Sequence, residues 1–314
     1  MEVVATAEAG DVVGVDVGGT TLKGVRLARS GEVRDTLTWP TPTGGDADAV
    51  LAAIDRVAVE LGAGSGAGRN AVVAVGVAVP GIVDEARGIA VVAANLGWRD
   101  TPVRDELGRQ LGLPVVLGHD VRAAGYAEWR SGAASGVDDA LVVTLGTGIG
   151  AAVVTDGRLL VGAGYAGQLG HVRAVAGEGA VACGCGARGC LATVASASAV
   201  ARRYAERSRV DDAEPVDAAE VAARARAGDE VAALVWAEAV EALGCVLTAA
   251  VTLFGSEVVV LGGGLALAGD QLLEPVERAL VERLTFQRRP AVRAAALGDR
   301  AGSLGAALLA ADRS

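Results

Sequence analysis

A strand followed by a glycine turn and a returning strand occurs once in each half of this 314-residue chain. The first copy consists of strand 12–17, turn 18–20 and strand 25–28, and the second of strand 140–145, turn 146–150 and strand 151–155. Apolar runs separated by glycines in this way predict β-hairpins. One such hairpin in each half indicates two related α/β domains whose glycine turns face a common ligand.

The rest of the chain alternates between strand and helix patterns. Helices are predicted over residues 46–61, 100–111, 193–253 (with breaks at 211–215 and 228–229) and 302–310, and strands over 33–39, 72–79, 115–117 and 258–261. Asp100 is the expected N-cap of its helix. A chain of this length is too long for one core, so these elements predict two domains of ordinary size.

The composition favours a core of small aliphatic side chains on short, tightly turned elements. Hydrophobic residues make up 52% of the chain but aromatic residues only 3%, and there are 45 glycines, which suits an α/β protein. The net charge is −10, from 28 basic and 38 acidic residues. This balance argues against a surface for nucleic acid or anionic membrane and favours small solutes as ligands.

No segment predicts secretion or a membrane span. Residues 1–11 contain three acidic residues and no basic residue, unlike a secretory signal. The longest apolar runs, 71–83 and 140–155, contain glycine or proline and are shorter than the roughly 20 residues that span a bilayer. We therefore expect a cytoplasmic protein without a membrane partner.

Three cysteines and a histidine predict a metal site. Cys183, Cys185 and Cys190 lie in a short glycine-rich stretch, and His171 precedes them. Three thiolates and one imidazole form a closed tetrahedral set, which is typical of structural zinc. The alternative is reduced or disulfide-paired cysteines, but the Cys183–Cys185 spacing leaves little room for an unstrained disulfide. Cys245, in an Ala/Leu-rich helical stretch, is expected to be buried.

The first glycine turn has the residue types of a phosphate-binding turn. Asp16 ends a predicted strand, the glycines at 18–19 let backbone N–H groups approach an anion, and the Thr20 hydroxyl can bond a phosphate oxygen. Alone, such a sequence is also an ordinary turn. Together with the turns 146–148 and 262–264, it predicts phosphate binding, with Mg²⁺ held through water by Asp16.

Seven motifs occur in order over nearly the whole chain. They are Asp16-x-Gly-Gly-Thr20, Pro80-Gly81-x-Val83-Asp84, Asn95-Leu96-Gly97-Trp98, Asp120 at a helix start, Gly146-Thr147-Gly148-Ile149-Gly150, Gly167-x-x-Gly170-His171 and Cys183-x-Cys185-Gly-x-x-Gly-Cys190. In this order they resemble the motifs of the ROK family (repressors, uncharacterised proteins and sugar kinases), within the actin/hexokinase superfamily.

This resemblance implies an α/β fold of the actin-like/hexokinase (ribonuclease H-like) type, with two domains and a cleft between them. We expect an N-terminal domain over residues 1–118, on which a C-terminal helix at 301–314 packs, and a C-terminal domain over 119–300 with the zinc-binding insertion. The implied reaction transfers the γ-phosphoryl group of ATP, with Mg²⁺, to the 6-hydroxyl of a hexose. The implied assembly is a homodimer or homotetramer.

The resemblance also implies residue roles. Asp120 matches the catalytic base, since phosphoryl transfer requires mainly alignment and a group that accepts the hydroxyl proton; a helix N-cap is the alternative role. The nucleotide-binding candidates are Asp16, Gly18, Gly19, Thr20, Lys23, Gly146, Thr147, Gly148, Gly262, Gly263 and Gly264. The sugar-binding candidates are Gly81, Asn95, His119, Asp120, Gln168 and His171, and His171 would also bind zinc with Cys183, Cys185 and Cys190.

Three positions depart from the family pattern. His119, Gln168 and Ala192 stand where Asn, Glu and Glu are usual. A hydrogen bond to a charged group is worth about 1.5–3 kcal/mol, so losing the glutamate at 192 would weaken hexose binding by about ten- to a hundred-fold.

These departures leave the sugar open. The neutral imidazole of His119 can accept a hydrogen bond from an amino group, which suits 3-amino-3-deoxyglucose (kanosamine). The loss of negative charge at 168 and 192 argues against an ammonium substrate. Sequence drift, with water replacing the lost contacts on an ordinary hexose, is the alternative.

Two other functions are compatible with the resemblance. Sugar-responsive repressors of this family carry an N-terminal helix-turn-helix domain, whereas few residues precede the first predicted strand here and the chain is acidic. A non-catalytic sugar-binding protein is suggested by the three changed positions, but Asp16, Thr20 and Asp120 are all present. An ATP-dependent sugar kinase is the principal prediction.

Overall fold

The computed structural model describes residues 10–42, 46–64, 71–208 and 216–313. The strands are β1 Asp11–Val17, β2 Thr21–Leu27, β3 Val33–Pro40, β4 Val72–Val79, β5 Ile82–Asp84, β6 Ile89–Ala93, β7 Trp98–Thr101, β8 Val115–His119, β9 Ala140–Leu145, β10 Ile149–Thr155, β11 Arg158–Leu159, β12 Val258–Gly262 and β13 Ala291–Ala294. The helices are α1 Ala47–Glu60, α2 Val103–Leu111, α3 Asp120–Ser131, α4 Ala192–Ala195, α5 Ala197–Ser208, α6 Ala218–Arg226, α7 Glu230–Phe254, α8 Asp270–Arg283 and α9 Ala301–Arg313. Residues 1–9, which entered the argument against a secretory signal, and the predicted break at 211–215 lie outside the described residues.

The chain divides into two compact units. The first comprises Met1–Ala127, Val161–Ala166 and Asp299–Ser314, and the second comprises Glu128–Leu160 and Gly167–Gly298. The sequence predicts boundaries after residues 118 and 300. The first unit instead keeps most of α3, which continues directly from β8, and it also includes a short segment from the later part of the chain.

The first unit contains a five-stranded sheet in the order β3-β2-β1-β4-β8. Strand β1 pairs antiparallel with β2 and parallel with β4, and β4 pairs parallel with β8. Because side chains alternate along a strand, the odd-numbered valines of β1 and β4 share one face. This face packs with the apolar sides of α1 and α2 and forms the core of the unit.

The opposite face of the same sheet is covered by α9, which approaches it through glycines. A Cβ atom at Gly14 would lie 2.1 Å from the carbonyl oxygen of Ser303, and one at Gly76 would lie 1.8 Å from that of Ala306. Only glycine therefore allows the helix backbone to pack this closely on the strands. The C-terminal helix thus belongs to the first unit, together with the N-terminal strands.

The second unit repeats this topology. Its sheet has the order β11-β10-β9-β12-β13. Strand β9 pairs antiparallel with β10 and parallel with β12, and β12 pairs parallel with β13. Each sheet therefore has three antiparallel strands followed by two parallel ones, which confirms the strand–turn–strand repeat predicted from the sequence.

Helix α7 is long and apolar enough, by length and composition alone, to cross a membrane. Core helices have the same composition, and Ala239, Leu243 and Leu247 of α7 are buried in the second unit. The apolar runs considered above did not include this helix. The prediction that Cys245 is buried is wrong, because the preceding Gly244 faces Ala279 of α8 and one helical step turns Cys245 outwards.

The chain between β4 and α2 also differs from the prediction. Asp100 is not the N-cap of α2 but lies in β7 with φ of +49°, and the helix begins at Val103. Pro102 accounts for the late start, since proline disfavours the helical conformation of the residue before it. Strands β5, β6 and β7 form a separate antiparallel sheet. Their three to five residues are too few to show a clear alternation in sequence.

Candidate functional site

Three parallel strands of the first unit end side by side, and predicted site residues lie at these ends. In the sheet register Ala78 of β4 stands between Asp16 of β1 and Gly118 of β8. His119 and Asp120 follow directly. Ligands of α/β proteins bind at the carboxyl ends of parallel strands. The fold thus brings Asp16, His119 and Asp120 to the edge where binding residues are expected.

The carboxyl group of Asp16 has no hydrogen bond or ion pair with any residue that the structure describes. Burial raises the pKa of Asp16 to about 7, the charge of Asp120 adds to this rise, and the ammonium of Lys23 opposes it. A Cβ atom at Gly302 of α9 would lie 2.2 Å from Oδ2 of Asp16, so glycine there makes room for the carboxylate. An enclosed carboxylate without a protein partner suits a cation such as Mg²⁺, which takes few carboxylates and retains water.

Asp120 is the first residue of α3. Its Oδ1 accepts a hydrogen bond from the N–H of Val121 at 2.7 Å, whereas an N-cap side chain bonds N–H groups two or three residues further on. Burial raises the pKa of Asp120 to about 6, against the lowering effects of the Val121 N–H and the Arg122 guanidinium. Solvent still reaches 32% of the side chain. The carboxylate is therefore accessible and mostly ionised at pH 7.

His119 is buried beside Asp120. Its Nδ1 lies 3.2 Å from Oδ1 of Asp120, but the ring is not oriented for a hydrogen bond, and this nitrogen has no other partner among the described residues. Burial, and then the charge of Arg122, lower the pKa of His119 to about 4. The ring is therefore neutral at physiological pH, as the sequence interpretation assumed.

The first glycine turn is open to solvent at the end of the β1–β2 hairpin. The N–H of Gly18 closes the turn, whereas Gly19 and Thr20 are exposed. The amide nitrogen Nδ2 of Asn95 lies 4.0 Å from the position of a Cβ atom at Gly19. A predicted nucleotide-binding turn and a predicted sugar contact are thus neighbours in the first unit.

Two other predicted residues have clear structural partners. The Nζ of Lys23 donates to the carbonyl oxygen of Asp299 at 3.3 Å and to its Oδ2 at 3.1 Å. Gly81 has φ of +98°, and a Cβ atom there would lie 2.0 Å from the carbonyl oxygen of Val92. Glycine at 81 is therefore required by the backbone, whatever else it contacts.

Two predicted phosphate-binding turns come together in the second unit. The turns 146–148 and 262–264 follow the neighbouring parallel strands β9 and β12. Nothing lies within 4 Å of a Cβ atom placed at Gly146 or Gly148, so the backbone of the turn 146–148 is accessible. Gly263 has φ of +84°, and a Cβ atom there would lie 2.5 Å from the carbonyl oxygen of Leu145. This close approach holds the second turn against the end of β9.

The four predicted zinc ligands converge in the second unit. One ligand atom from each of His171, Cys183, Cys185 and Cys190 lies within 4.8 Å of all the others. The Sγ of Cys183 is 3.7 Å from Nδ1 of His171, and the Sγ atoms of Cys185 and Cys190 are 3.7 Å apart. Tetrahedral zinc, with Zn–S of about 2.3 Å and Zn–N of about 2.0–2.1 Å, places its ligand atoms about 3.6–3.8 Å apart. The residues present therefore fit zinc.

A tight hairpin presents the thiols. The N–H of Cys183 donates to the carbonyl oxygen of Ala187, and Ala182 pairs with Arg188 as an isolated bridge. Burial, and then the hydrogen bonds and charges of the two other thiols, raise the pKa of Cys190 to about 12. The Cys190 thiol therefore stays protonated by itself at neutral pH, and a divalent cation would supply the charge that allows it to ionise.

Two of the three unusual positions flank this cluster. Gln168 precedes the short 3₁₀ helix Leu169–His171, whose last residue is a candidate ligand, and Ala192 begins α4 two residues after Cys190. The side chain of Gln168 is half-buried and has no hydrogen bond to a described residue. The segment that holds the metal ligands thus also carries two of the positions at which specificity is expected to differ.

One buried ion pair beside the site was not predicted. Arg122, two residues after Asp120, donates from Nε to Oε1 of Glu85 at 2.9 Å, with side-chain exposures of 1% and 3%. Arg122 lowers the pKa values of both His119 and Asp120. Its only signal in the sequence is an arginine two positions after the predicted base.

Comparison with known proteins agrees with these features. The chain matches the ROK family over residues 12–313. It is 35% identical over 280 residues to a glucokinase of Halalkalibacterium halodurans, covering 85% of this chain and 84% of that protein. It is 34% identical over 298 residues to an N-acetylmannosamine kinase of Citrobacter koseri, covering 94% and 97%.

A solved structure extends the agreement to the fold. The ROK family glucokinase from Streptomyces griseus, in complex with glucose and AMPPNP, superposes with a TM-score of 0.81 at 32% identity, over 96% of this chain and 100% of that chain. The fold is therefore the actin-like/hexokinase α/β fold predicted from the motifs. The match over residues 12–313 and the identity to full-length relatives show that this chain belongs to the ROK family.

Proposed function

We propose that the protein is an ATP-dependent sugar kinase that transfers the γ-phosphoryl group to the 6-hydroxyl of a hexose or amino-hexose. The observation that carries this proposal is the accessible carboxylate of Asp120, next to the unpartnered carboxylate of Asp16 at the ends of β1, β4 and β8. The similarity to glucokinases, one of them solved with glucose and AMPPNP, supports the reaction class.

Asp120 acts as the catalytic base. The N–H of Val121 holds Oδ1, which leaves Oδ2 to accept a hydrogen bond from the sugar hydroxyl. As the hydroxyl oxygen bonds to the γ-phosphorus and the bond from phosphorus to the ADP oxygen breaks, the hydroxyl proton passes to Asp120. A pKa of about 6 keeps the group ionised at pH 7 while making it a stronger base than an exposed aspartate.

The glycine turns bind the phosphates of ATP. Gly19, Thr20 and the turns 146–148 and 262–264 offer backbone N–H groups and hydroxyls. Mg²⁺ bound with ATP would neutralise charge on the phosphates. Asp16 would hold this ion, and Lys23, its cross-strand partner, opposes the rise in the pKa of the carboxyl group.

His171, Cys183, Cys185 and Cys190 would hold a structural zinc ion, which would cross-link the chain between β11 and α4 that carries Gln168. A ring nitrogen of His171 that is not bound to the metal would be free for a sugar hydroxyl. Gly81 and Asn95 supply further sugar contacts from the first unit.

The identity of the sugar depends on the changed positions. His119 is neutral, and its buried Nδ1 has no hydrogen-bond partner in the described parts of the chain. A neutral imidazole offers one hydrogen-bond donor and one acceptor, so His119 can form a hydrogen bond with an amino group or a hydroxyl of the sugar. Asparagine is usual at this position in the family. Kanosamine is therefore a candidate beside glucose, mannose and N-acetylmannosamine. Gln168 and Ala192 lack the negative charge that an ammonium group would favour, so neutral hexoses remain in the same panel.

The test is a coupled ADP-release assay with these four sugars, ATP and Mg²⁺. Turnover of at least one sugar, abolished by Asp120→Asn, supports the kinase. Sugar binding without ADP release would identify a non-catalytic binding protein, and specific retention of genomic DNA in an electrophoretic shift would identify a regulator. We place the enzyme in the cytoplasm. We expect a homodimer or homotetramer, and light scattering measures this oligomeric state directly.

A further inference from the structure

Arg122 pairs with Glu85 and also binds a segment of backbone. The Nη1 of Arg122 donates to the carbonyl oxygens of Gly164 at 3.2 Å and Ala166 at 3.1 Å. Both belong to Val161–Ala166, the short segment that packs with the first unit, although its chain neighbours on both sides belong to the second. We call Val161–Ala166 the strap.

The strap lies close against β5 and contains one strained residue. The φ angles are +54° at Gly162, +52° at Ala163 and +95° at Gly164. Glycine adopts such angles readily, whereas the Cβ atom of Ala163 disfavours this conformation by roughly 1–2 kcal/mol. A Cβ atom at Gly164 would lie 2.2 Å from the carbonyl oxygen of Val83 in β5, so the strap can approach this strand only because position 164 is glycine.

Stability alone is a weak reason for this arrangement. A buried ion pair gains little net free energy, because desolvation of both charges offsets their attraction. The Nη2 of Arg122 is buried without a hydrogen-bond partner among the described residues. The desolvation of this group destabilises the folded state further. What the pair does provide is a fixed direction for the guanidinium group, and so a fixed position for the two carbonyl groups it binds.

The strap leads directly into the predicted sugar-binding segment. Gln168 is two residues after Ala166, whose carbonyl oxygen Arg122 holds, and His171 follows after the short 3₁₀ helix. The carbonyl oxygen of Gly167 accepts a hydrogen bond from the N–H of Ala151 in β10 at 2.8 Å. Hydrogen bonds to two consecutive carbonyl groups, those of Ala166 and Gly167, thus hold the chain just before Gln168.

We propose that Arg122 is a positioning residue: with Glu85 it fixes the strap and thereby places Gln168 for recognition of the sugar. The proposal rests on the sugar-kinase function above. Arg122 does not touch the substrate, so its loss should act on the sugar side of the reaction and leave nucleotide binding as it is.

Two variants test this in the full-length protein. Arg122→Gln combined with Glu85→Gln releases the strap without leaving one charge buried alone. Gly164→Ala displaces the strap from β5 while keeping both charges. Arg313→Gln is the matched control, since Nη2 of Arg313 lies 3.5 Å from the other carboxylate oxygen of Glu85 and Arg313 forms no hydrogen bond with the strap carbonyl groups that the structure describes.

Both strap variants should raise the KM for sugar by up to about tenfold, because losing one hydrogen bond from Gln168 to the sugar weakens binding by about this factor. The KM for ATP should change by less than about twofold, and the control should match the wild type in both constants. Folded variants with an unchanged sugar KM, or with an equal rise in both KM values, would overturn the proposal.

Hydrogen exchange separates this proposal from the proposed function. The amides of Gly164 and Ala166 bond to the carbonyl oxygen of Val161 inside the strap. Their exchange should be at least about tenfold faster in the double variant than in the control, with no sugar present. Unchanged exchange refutes the role of Arg122 even if the enzyme is active, whereas absence of turnover in the wild type with every sugar refutes only the kinase.

Discussion

Replacing Gly302 by alanine tests whether α9 sets the position of the Asp16 carboxylate. In an open helix this substitution stabilises a protein by roughly 0.5–1 kcal/mol, because alanine loses less backbone entropy on folding. At position 302, however, the new carbon would lie 2.2 Å from Oδ2 and 2.5 Å from Cγ of Asp16. Ordinary contacts between such atoms are about 3.5–4.0 Å, so one group must move by about 1 Å or more.

The carboxylate is the group that can move. Helix α9 is fixed against the sheet by its close approaches to Gly14 and Gly76. Turning the Asp16 side chain away from its preferred rotamer requires about 0.5–1.5 kcal/mol, which roughly cancels the gain from alanine. We therefore expect little change in the free energy of unfolding but a decrease in kcat of about a hundredfold, as for other misplaced catalytic groups.

Gly108→Ala is the matched control. Gly108 lies inside α2, and the nearest atom to its Cβ position is the carbonyl oxygen of Leu113 at 3.6 Å, an ordinary contact. It should stabilise the protein by about 0.5–1 kcal/mol and leave kcat unchanged. The measurements are urea unfolding and ADP release at saturating sugar and ATP. A Gly302→Ala variant that gains as much stability as the control and keeps the wild-type kcat would refute the steric argument.

The other predictions concern protonation, zinc and one buried carboxylate. Asp120→Asn should abolish most turnover. The wild-type kcat/KM should fall as the pH drops below about 7, where Asp16 becomes protonated, and more steeply below about 6, where Asp120 does. The pKa of Asp120 is about 6 in the folded protein and 3.8 in the unfolded chain. Ionisation of Asp120 therefore destabilises the fold increasingly as the pH rises from about 4 to 6, and fully above pH 6. Asp120→Asn should raise Tm at pH 8, and this difference should vanish towards pH 4. Cys185→Ser should lose zinc by elemental analysis and lower Tm together. Glu128 is buried and accepts hydrogen bonds from the N–H groups of residues 133, 296 and 297, so Glu128→Ala should destabilise the protein by at least about 3 kcal/mol in urea unfolding.

Each of these has an outcome that contradicts it. Wild-type turnover by Asp120→Asn removes this residue from the mechanism, and a flat pH profile between 5 and 7 contradicts its raised pKa. Full zinc content in Cys185→Ser shows that the thiol is not a ligand. Cys245→Ser is the control there, because Cys245 is exposed and outside the cluster. A loss of less than about 1 kcal/mol in Glu128→Ala would show that water replaces the carboxylate.

The parts of the structure that were predictable depend on neighbouring residues in the chain. Alternation along β1 and β9, ended by glycines, indicates a hairpin whatever the tertiary context, and both hairpins form. The zinc ligands were predictable because Cys183, Cys185 and Cys190 are close in sequence and one hairpin is enough to gather them.

The parts that were not predictable depend on contacts between distant residues. Arg122 and Glu85 are 37 positions apart, and nothing near either residue indicates that both will be buried together. The exposure of Cys245 is decided by the packing of Gly244 on Ala279, and the helical pattern alone does not reveal which face meets α8. The late start of α2 had a local signal in Pro102, which outweighed the capping preference of Asp100.

The position of α9 has a consequence for biosynthesis. Strands β1 and β4 leave the ribosome more than 200 residues before α9, the helix that covers their glycine face. Until it emerges, one side of the first sheet has no packing partner, and the contact must then close over almost the entire polypeptide, which slows folding. The second unit, continuous apart from the strap, is complete beforehand. A nascent chain stalled before residue 301 should therefore resist protease in its second unit while its first remains cleavable.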